Sequence, residues 1–205
     1  DTDVGKTYIA SALVRYFVQQ GQTAVGMKPI AAGCEKINGA LRNADVSALL
    51  AASNLAARLE DVNPYAFEPA IAPHIAAEQA GVTVSLSKIK HAFDALQSQA
   101  DALIVEGAGG FRVPINREQT IADMAVQLNL PVIMVAGVRL GCINHALMTA
   151  GSIKAAGLDL VGWVANRIEP DMPALEENVQ TLKAMIKAPC IADVNWGAVP
   201  KFSGI

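Results

Sequence analysis

Short apolar runs alternate with amphipathic stretches along nearly the whole chain, and no other feature limits its fold so tightly. Residues 23–28, 101–105, 131–136, 158–164 and 190–194 read as buried strands. Residues 7–20, 45–52, 120–128, 144–156 and 172–186 carry helical spacing. In the first of these, Ile9, Ala12, Leu13, Tyr16 and Phe17 share a face and Gly21 follows as a stop. Such alternation requires right-handed crossovers, and so an α/β fold of three layers, a mostly parallel sheet with helices on both faces. In folds of this kind ligands sit outside the carboxyl ends of the strands. Residues 31–43 read as a glycine-containing loop and 63–74 as a proline-punctuated segment, both surface elaborations. With 205 residues, a single domain covering 1–205 is expected.

Composition narrows the partners. Net charge is -3, so there is no basic field for a nucleic acid, and an anionic ligand must be held by a local site. The mean hydropathy of +0.32 is high, but Arg139, Lys154, Asp159 and glycines interrupt the apolar runs before any could span a bilayer, so no membrane is expected. Cys34, Cys142 and Cys190 are scattered without CxxC pairing, which argues against a disulfide framework or a zinc site and for a cytoplasmic setting.

The first residues, Asp1-Thr2-Asp3-Val4-Gly5-Lys6-Thr7, stand immediately before the first amphipathic helix and match the second half of a P-loop. Backbone N–H groups around Val4 and Gly5 can ring a phosphate, Lys6 can reach its β/γ oxygens, and the Thr7 hydroxyl suits Mg²⁺. Gly-Lys-Thr at a helix start also arises by chance; the helix behind it and the α/β pattern favour nucleotide binding. The motif's leading strand and first glycine are expected upstream of Asp1, and a closing helix beyond Ile205.

Two carboxylates are candidates for the metal. Glu106 ends the strand 101–105, where burial of a carboxylate is costly unless it meets a cation. Asp45 fits either a metal ligand or a helix cap. Lys28 precedes Pro29 at the end of another strand and by itself reads as a snorkelling or salt-bridged lysine. Glycines in Glu106-Gly107-Ala108-Gly109-Gly110 let the backbone approach a ligand closely.

These segments, with Lys28-Pro29-Ile30-Ala31-Ala32-Gly33, Arg42-Asn43-Ala44-Asp45, Asn63-Pro64-Tyr65, Gly141-Cys142-Ile143-Asn144-His145 and Val164-Ala165-Asn166, occur in the order of a known family. The chain resembles the dethiobiotin synthetases from its first residue to about Trp196. The resemblance implies a homodimeric, ATP- and Mg²⁺-dependent ligase. It would join CO₂ or bicarbonate to 7,8-diaminononanoate and close a cyclic urea through a phosphorylated carbamate, releasing ADP and phosphate. It makes Lys28 and Lys6 catalytic. Asp3, Val4, Gly5, Lys6 and Thr7 would hold ATP together with Asp45, Glu106, Gly107, Ala108, Gly109 and Asn166, Asn166 meeting the adenine. Asn195, Trp196 and Gly197 would flank that base. Thr7, Asp45 and Glu106 would be the metal ligands. Thr2, Lys28, Ala32 and Gly109 would meet the substrate, whose carboxylate tail would be held by Gly141, Cys142 and Asn144 from the neighbouring subunit. The free N–H groups of a helix start suit that tail. Ala32 stands where the family commonly has serine, a difference of about 1 kcal/mol if one neutral hydrogen bond is lost.

Two other readings share these residues. Another P-loop amidoligase would keep Lys28 and residues 106–110 but take a different tail at 141–144. A regulatory P-loop ATPase usually carries a second lysine early in the loop, where this chain has Asp1-Thr2-Asp3. His74, His91 and His145 lack ligand-like spacing and read as structural or surface residues.

Overall fold

A computed structural model describes all residues, 1–205. Its elements, in chain order, are α1 (Lys6–Gln19), β1 (Ala24–Met27), β2 (Ile30–Ala31), β3 (Glu35–Ile37), β4 (Ala40–Arg42), α2 (Ala44–Ala52), α3 (Leu59–Val62), β5 (Tyr65–Ala66), α4 (Pro73–Gln79), α5 (Leu86–Gln97), β6 (Ala102–Val105), α6 (Ile121–Leu128), β7 (Val132–Gly137), α7 (Cys142–Ala155), β8 (Leu160–Asn166), α8 (Leu175–Met185) and β9 (Cys190–Val194). No helix is long and apolar enough to cross a membrane. The chain divides into two compact units, one of residues Ala10–Leu128 and one of Asp1–Ile9 with Asn129–Ile205.

In the unit Ala10–Leu128, β1 pairs parallel with β6 in the register Met27↔Val105, so both strands end side by side. β2 and β5 form a second parallel pair. Val14, Ala24 and Ala52 form a buried cluster, with Phe17, Val18, Ala102 and Ile104 packed against it. The short α3 and α4 and the β2–β5 pair were not in the sequence reading, and two larger features depart from it. Part of the loop 31–43 is an exposed antiparallel hairpin, β3–β4, turned by Asn38 and Gly39 at φ 51° and 82°. Asn-Gly suits the left-handed positions of such a turn. The helix α5 was not foreseen; Ser85 caps it, and Leu86, Ile89, Phe93 and Leu96 form its buried stripe.

In the other unit β7, β8 and β9 form a parallel sheet in which Asn166 stands level with both Gly137 and Val194. Trp163, Val164 and Ala165 are fully buried at its centre. The helix α7 starts at Cys142, earlier than the expected 144, behind Gly141 at φ 89°. The helix α8 starts at Leu175, later than the expected 172, because Ala174 takes a left-handed φ of 54° just before it.

Candidate active site

The loop before α1 is shaped by backbone geometry. Asp3 and Gly5 take left-handed φ values of 57° and 85°, with Val4 between them. That alternation turns successive N–H groups to one side, the arrangement that binds anions. Val4 is buried, and a Cβ on Gly137 would come within 2.9 Å of its Cγ1. The loop therefore rests on the carboxyl end of β7, and the Val4 carbonyl accepts from Asn166 Nδ2 at 2.9 Å, at the end of β8. Lys6 folds back so that its Nζ donates to the Asp1 carbonyl at 2.5 Å. Thr7 lies in the first turn of α1, where N–H groups and the helix dipole favour an anion. Thr2 is exposed, its N–H donating to the Asp1 carboxylate.

Beside this loop is a cavity of about 290 Å³, lined by Val4, Gly137, Arg139, Gly141, Cys142 and His145 among others. Arg139 ion-pairs with Asp1 at 2.6 Å, a partnership the sequence did not suggest. No side chain caps α7, Cys142 is buried, and Asn144 is exposed. His145 is exposed, 3.6 Å from the Asp1 carboxylate.

Asn195, Trp196 and Gly197 follow β9. Trp196 is exposed, Gly197 takes φ 70°, and the Ala198 carbonyl accepts from the Tyr8 hydroxyl at 2.7 Å. On the same edge Arg167 grips Asp193 at 2.7 and 2.9 Å and Glu176 at 2.8 Å. The guanidinium's hydrogen bonds hold the Asp193 carboxyl below the usual carboxylate range, and Asp193 in turn pushes Arg167 further up.

A second cluster, in the other unit, is built from side chains. Lys28 follows β1 and Glu106 follows β6, and the parallel register brings them level. Lys28 Nζ lies 2.6 Å from Glu106 Oε1 and 2.8 Å from Asp45 Oδ2. Lys28 and Glu106 are each 5% exposed. The cation that a buried Glu106 was expected to need is therefore Lys28, and both the salt-bridged and the reactive-site readings of Lys28 fit. Asp45 does not cap α2: Asn43 does, its Oδ1 accepting from the backbone N–H groups of Asp45 and Val46. The Asp45 carboxylate, in the first turn, reaches Lys28 instead.

Two asparagines brace this cluster and were not assigned roles from sequence. Asn63 Nδ2 donates to the Lys28 carbonyl at 2.6 Å, and Asn43 Nδ2 to the Ala32 carbonyl at 3.3 Å. Their positions beside Pro64 and before a helix were the available signals. Gly107 passes so close to Ile121 that a Cβ would sit 3.0 Å from its Cγ2; Ala108 is buried, and Gly109 takes φ 69°. The loop after Glu106 thus bends as its glycines suggested. Two carboxylate oxygens converging on one cation are the hard donors that Mg²⁺ also prefers.

A left-handed turn running into a helix at the carboxyl ends of parallel strands defines a P-loop nucleotide-binding α/β protein. Comparison with known proteins agrees: a family model described as an AAA domain matches residues 1–199. The septum site-determining protein MinD complexed with Mg-ADP from Pyrococcus horikoshii superposes with a TM-score of 0.55 at 17% identity, over 94% of this chain and 76% of that one. That likeness is one of fold. The ATP-dependent dethiobiotin synthetase BioD of Aromatoleum aromaticum is 48% identical over 100% of this chain and 88% of its own length. That of Cellvibrio japonicus is 49% identical over 99% and 87%. The chain belongs to the dethiobiotin synthetase family.

Proposed function

We propose that this protein is an ATP-dependent ligase that closes the ureido ring of dethiobiotin from 7,8-diaminononanoate and CO₂. The observation that carries the reading is identity near one half, over essentially the whole chain, to proteins named for that reaction. The site chemistry supports it. One amine of the substrate adds to CO₂ as a carbamate, whose oxygen is a poor leaving group. Transfer of the γ-phosphoryl to that oxygen gives a mixed anhydride, and attack by the second amine closes the ring and expels phosphate.

In this scheme residues 3–7 take the phosphates of ATP through backbone N–H groups, with Lys6 and Thr7 in the roles the resemblance gives them. Asp45 and Glu106 would hold Mg²⁺, an ion that spreads the charge developing on transferred phosphoryl oxygens. Lys28 supplies a fixed ammonium for the carbamate and the transferring phosphoryl group. A cation already held in place needs no reorganisation as charge develops, which is why such groups accelerate transfer. Asn166, with Asn195, Trp196 and Gly197, would meet the adenine; Thr2, Ala32 and Gly109 would line the substrate. The capless start of α7, at Gly141, Cys142 and Asn144, would take the substrate's carboxylate across a homodimer interface. Three free cysteines fit a cytoplasmic enzyme.

The test is phosphate release with Mg-ATP and bicarbonate, with and without 7,8-diaminononanoate. Release that requires the diamine, with dethiobiotin appearing in step, is expected. Release indifferent to the diamine would point to a regulatory ATPase, and release driven only by another amine to a different amidoligase.

A further inference from the structure

Asn166 ends β8 with its side chain buried, 8% exposed, and turned toward the phosphate loop. Its Nδ2 donates to the Val4 carbonyl at 2.9 Å. Because a carbonyl can only accept, this contact fixes which end of the amide faces the loop. The backbone of Asn166 is itself held, its carbonyl accepting from the N–H groups of Val138 at 2.7 Å and Ile168 at 3.0 Å. The anchor is therefore part of the sheet edge rather than a mobile side chain.

What it anchors is one peptide plane. Across a trans peptide the C=O and the following N–H point in opposite directions. Holding the Val4 carbonyl on Asn166 consequently aims the Gly5 N–H away from the sheet, to the side where a phosphate would lie. Gly5 leaves no slack in this arrangement, since a Cβ there would collide with the Asn166 amide nitrogen. Without the anchor the Val4–Gly5 plane could rotate, and the N–H that should meet a phosphate oxygen would turn aside.

We propose that Asn166 is a positioning residue of the phosphate site, which holds the Val4 carbonyl and so aims the Gly5 N–H at the bound anion. The proposal rests on the reading of residues 3–7 as a phosphate loop. It is distinct from the adenine contact that family resemblance implies, because it uses one amide N–H on the loop backbone, while Oδ1 and the second N–H stay available to a base.

Binding calorimetry on the intact protein separates the two roles, using Mg-ATP and Mg-tripolyphosphate, which offers phosphates without a base. Asn166→Asp keeps the side-chain volume but replaces the donor with an acceptor; Asn166→Ala removes both. Each variant should weaken both ligands by a similar factor, on the order of tenfold. The KM for ATP should rise in step while the KM for the diamine holds, with melting temperatures near wild type. Tripolyphosphate binding unchanged in both variants, with only ATP weakened, would assign Asn166 to the base alone and overturn the proposal. Variants that melt far below wild type, or lose the diamine equally, would assign it to folding and overturn it too. Lys6→Ala tests the underlying reading: if it binds both ligands as wild type does, or if the wild type takes no tripolyphosphate, the phosphate loop itself is wrong. A strong Lys6→Ala effect beside silent Asn166 variants would sink only the positioning role.

Discussion

Residues 3–7 and the Lys28–Asp45–Glu106 cluster both close off the carboxyl ends of parallel strands, yet they gather charge by opposite means. The loop offers backbone N–H groups, with left-handed φ at Asp3 and Gly5 and its Val4 carbonyl held by Asn166. The cluster uses three charged side chains, two of them almost wholly buried. A site made of backbone tolerates changes of side-chain charge but not of conformation. A site made of buried charges tolerates neither the loss of a partner nor the loss of its braces, while none of its three residues needs a left-handed backbone.

The largest expected effect lies in the cluster. Lys28→Met would leave Glu106 buried without its cation, and removing one member of a buried pair costs about 3 kcal/mol or more. Denaturant unfolding should show that loss, and ligase turnover should fall below detection. Stability within about 0.5 kcal/mol of wild type would mean that Glu106 finds another partner and that the cluster is not the charge-built site described. Asp45→Asn should destabilise far less, because the Asp45 side chain is 42% exposed and its pairing is screened by solvent.

Next in size is Gly5→Ala. A left-handed φ costs a non-glycine residue about 1–2 kcal/mol, and here the methyl group also strikes Asn166. ATP affinity, measured by titration, should fall by more than about tenfold, with the Lys28 cluster's stability contribution intact. A variant that bound ATP normally would break the contrast, since the loop would then not depend on backbone conformation.

The smallest effect concerns pH. Hydrogen bonds from Arg167 hold the Asp193 carboxyl below its ordinary value of about 3.9, so the folded protein resists protonation there. The stability this supplies is complete above the ordinary value and is lost as pH falls through the lowered one. Unfolding midpoints of wild type and Asp193→Asn should differ most near pH 6 and converge in stronger acid. A gap that widened below pH 4 would reverse the sign and refute the assignment.

Much of this contrast was legible in the sequence. Apolar runs located β1, β6, β7, β8 and β9, because strands buried between helices carry no alternation to confuse. Lys28, Asp45 and Glu106 were visible as charges at strand ends or helix starts. Their mutual pairing was not, because it depends on β1 and β6 standing in parallel register, a long-range fact that no local window contains. The contact between Asn166 and Val4 was hidden for the same reason: the two lie far apart in the chain. By contrast α5 was legible and was missed. Its capping serine and its stripe from Leu86 to Leu96 are local signals, interrupted by Lys88, Lys90 and His91 on the solvent side. The β3–β4 hairpin was likewise announced by Asn38-Gly39 inside a segment read as loop.

The bracing of Lys28 has a consequence for how the cluster meets a ligand. A free lysine samples many rotamers, and a ligand that captures one must restrict it, at a cost of about 2 kcal/mol in side-chain entropy. Here Asn63 holds the backbone and two carboxylates hold the ammonium, so that freedom was surrendered when the chain folded. An anion arriving at Lys28 meets a charge that is already ordered, and the entropy of its capture falls on the ligand alone.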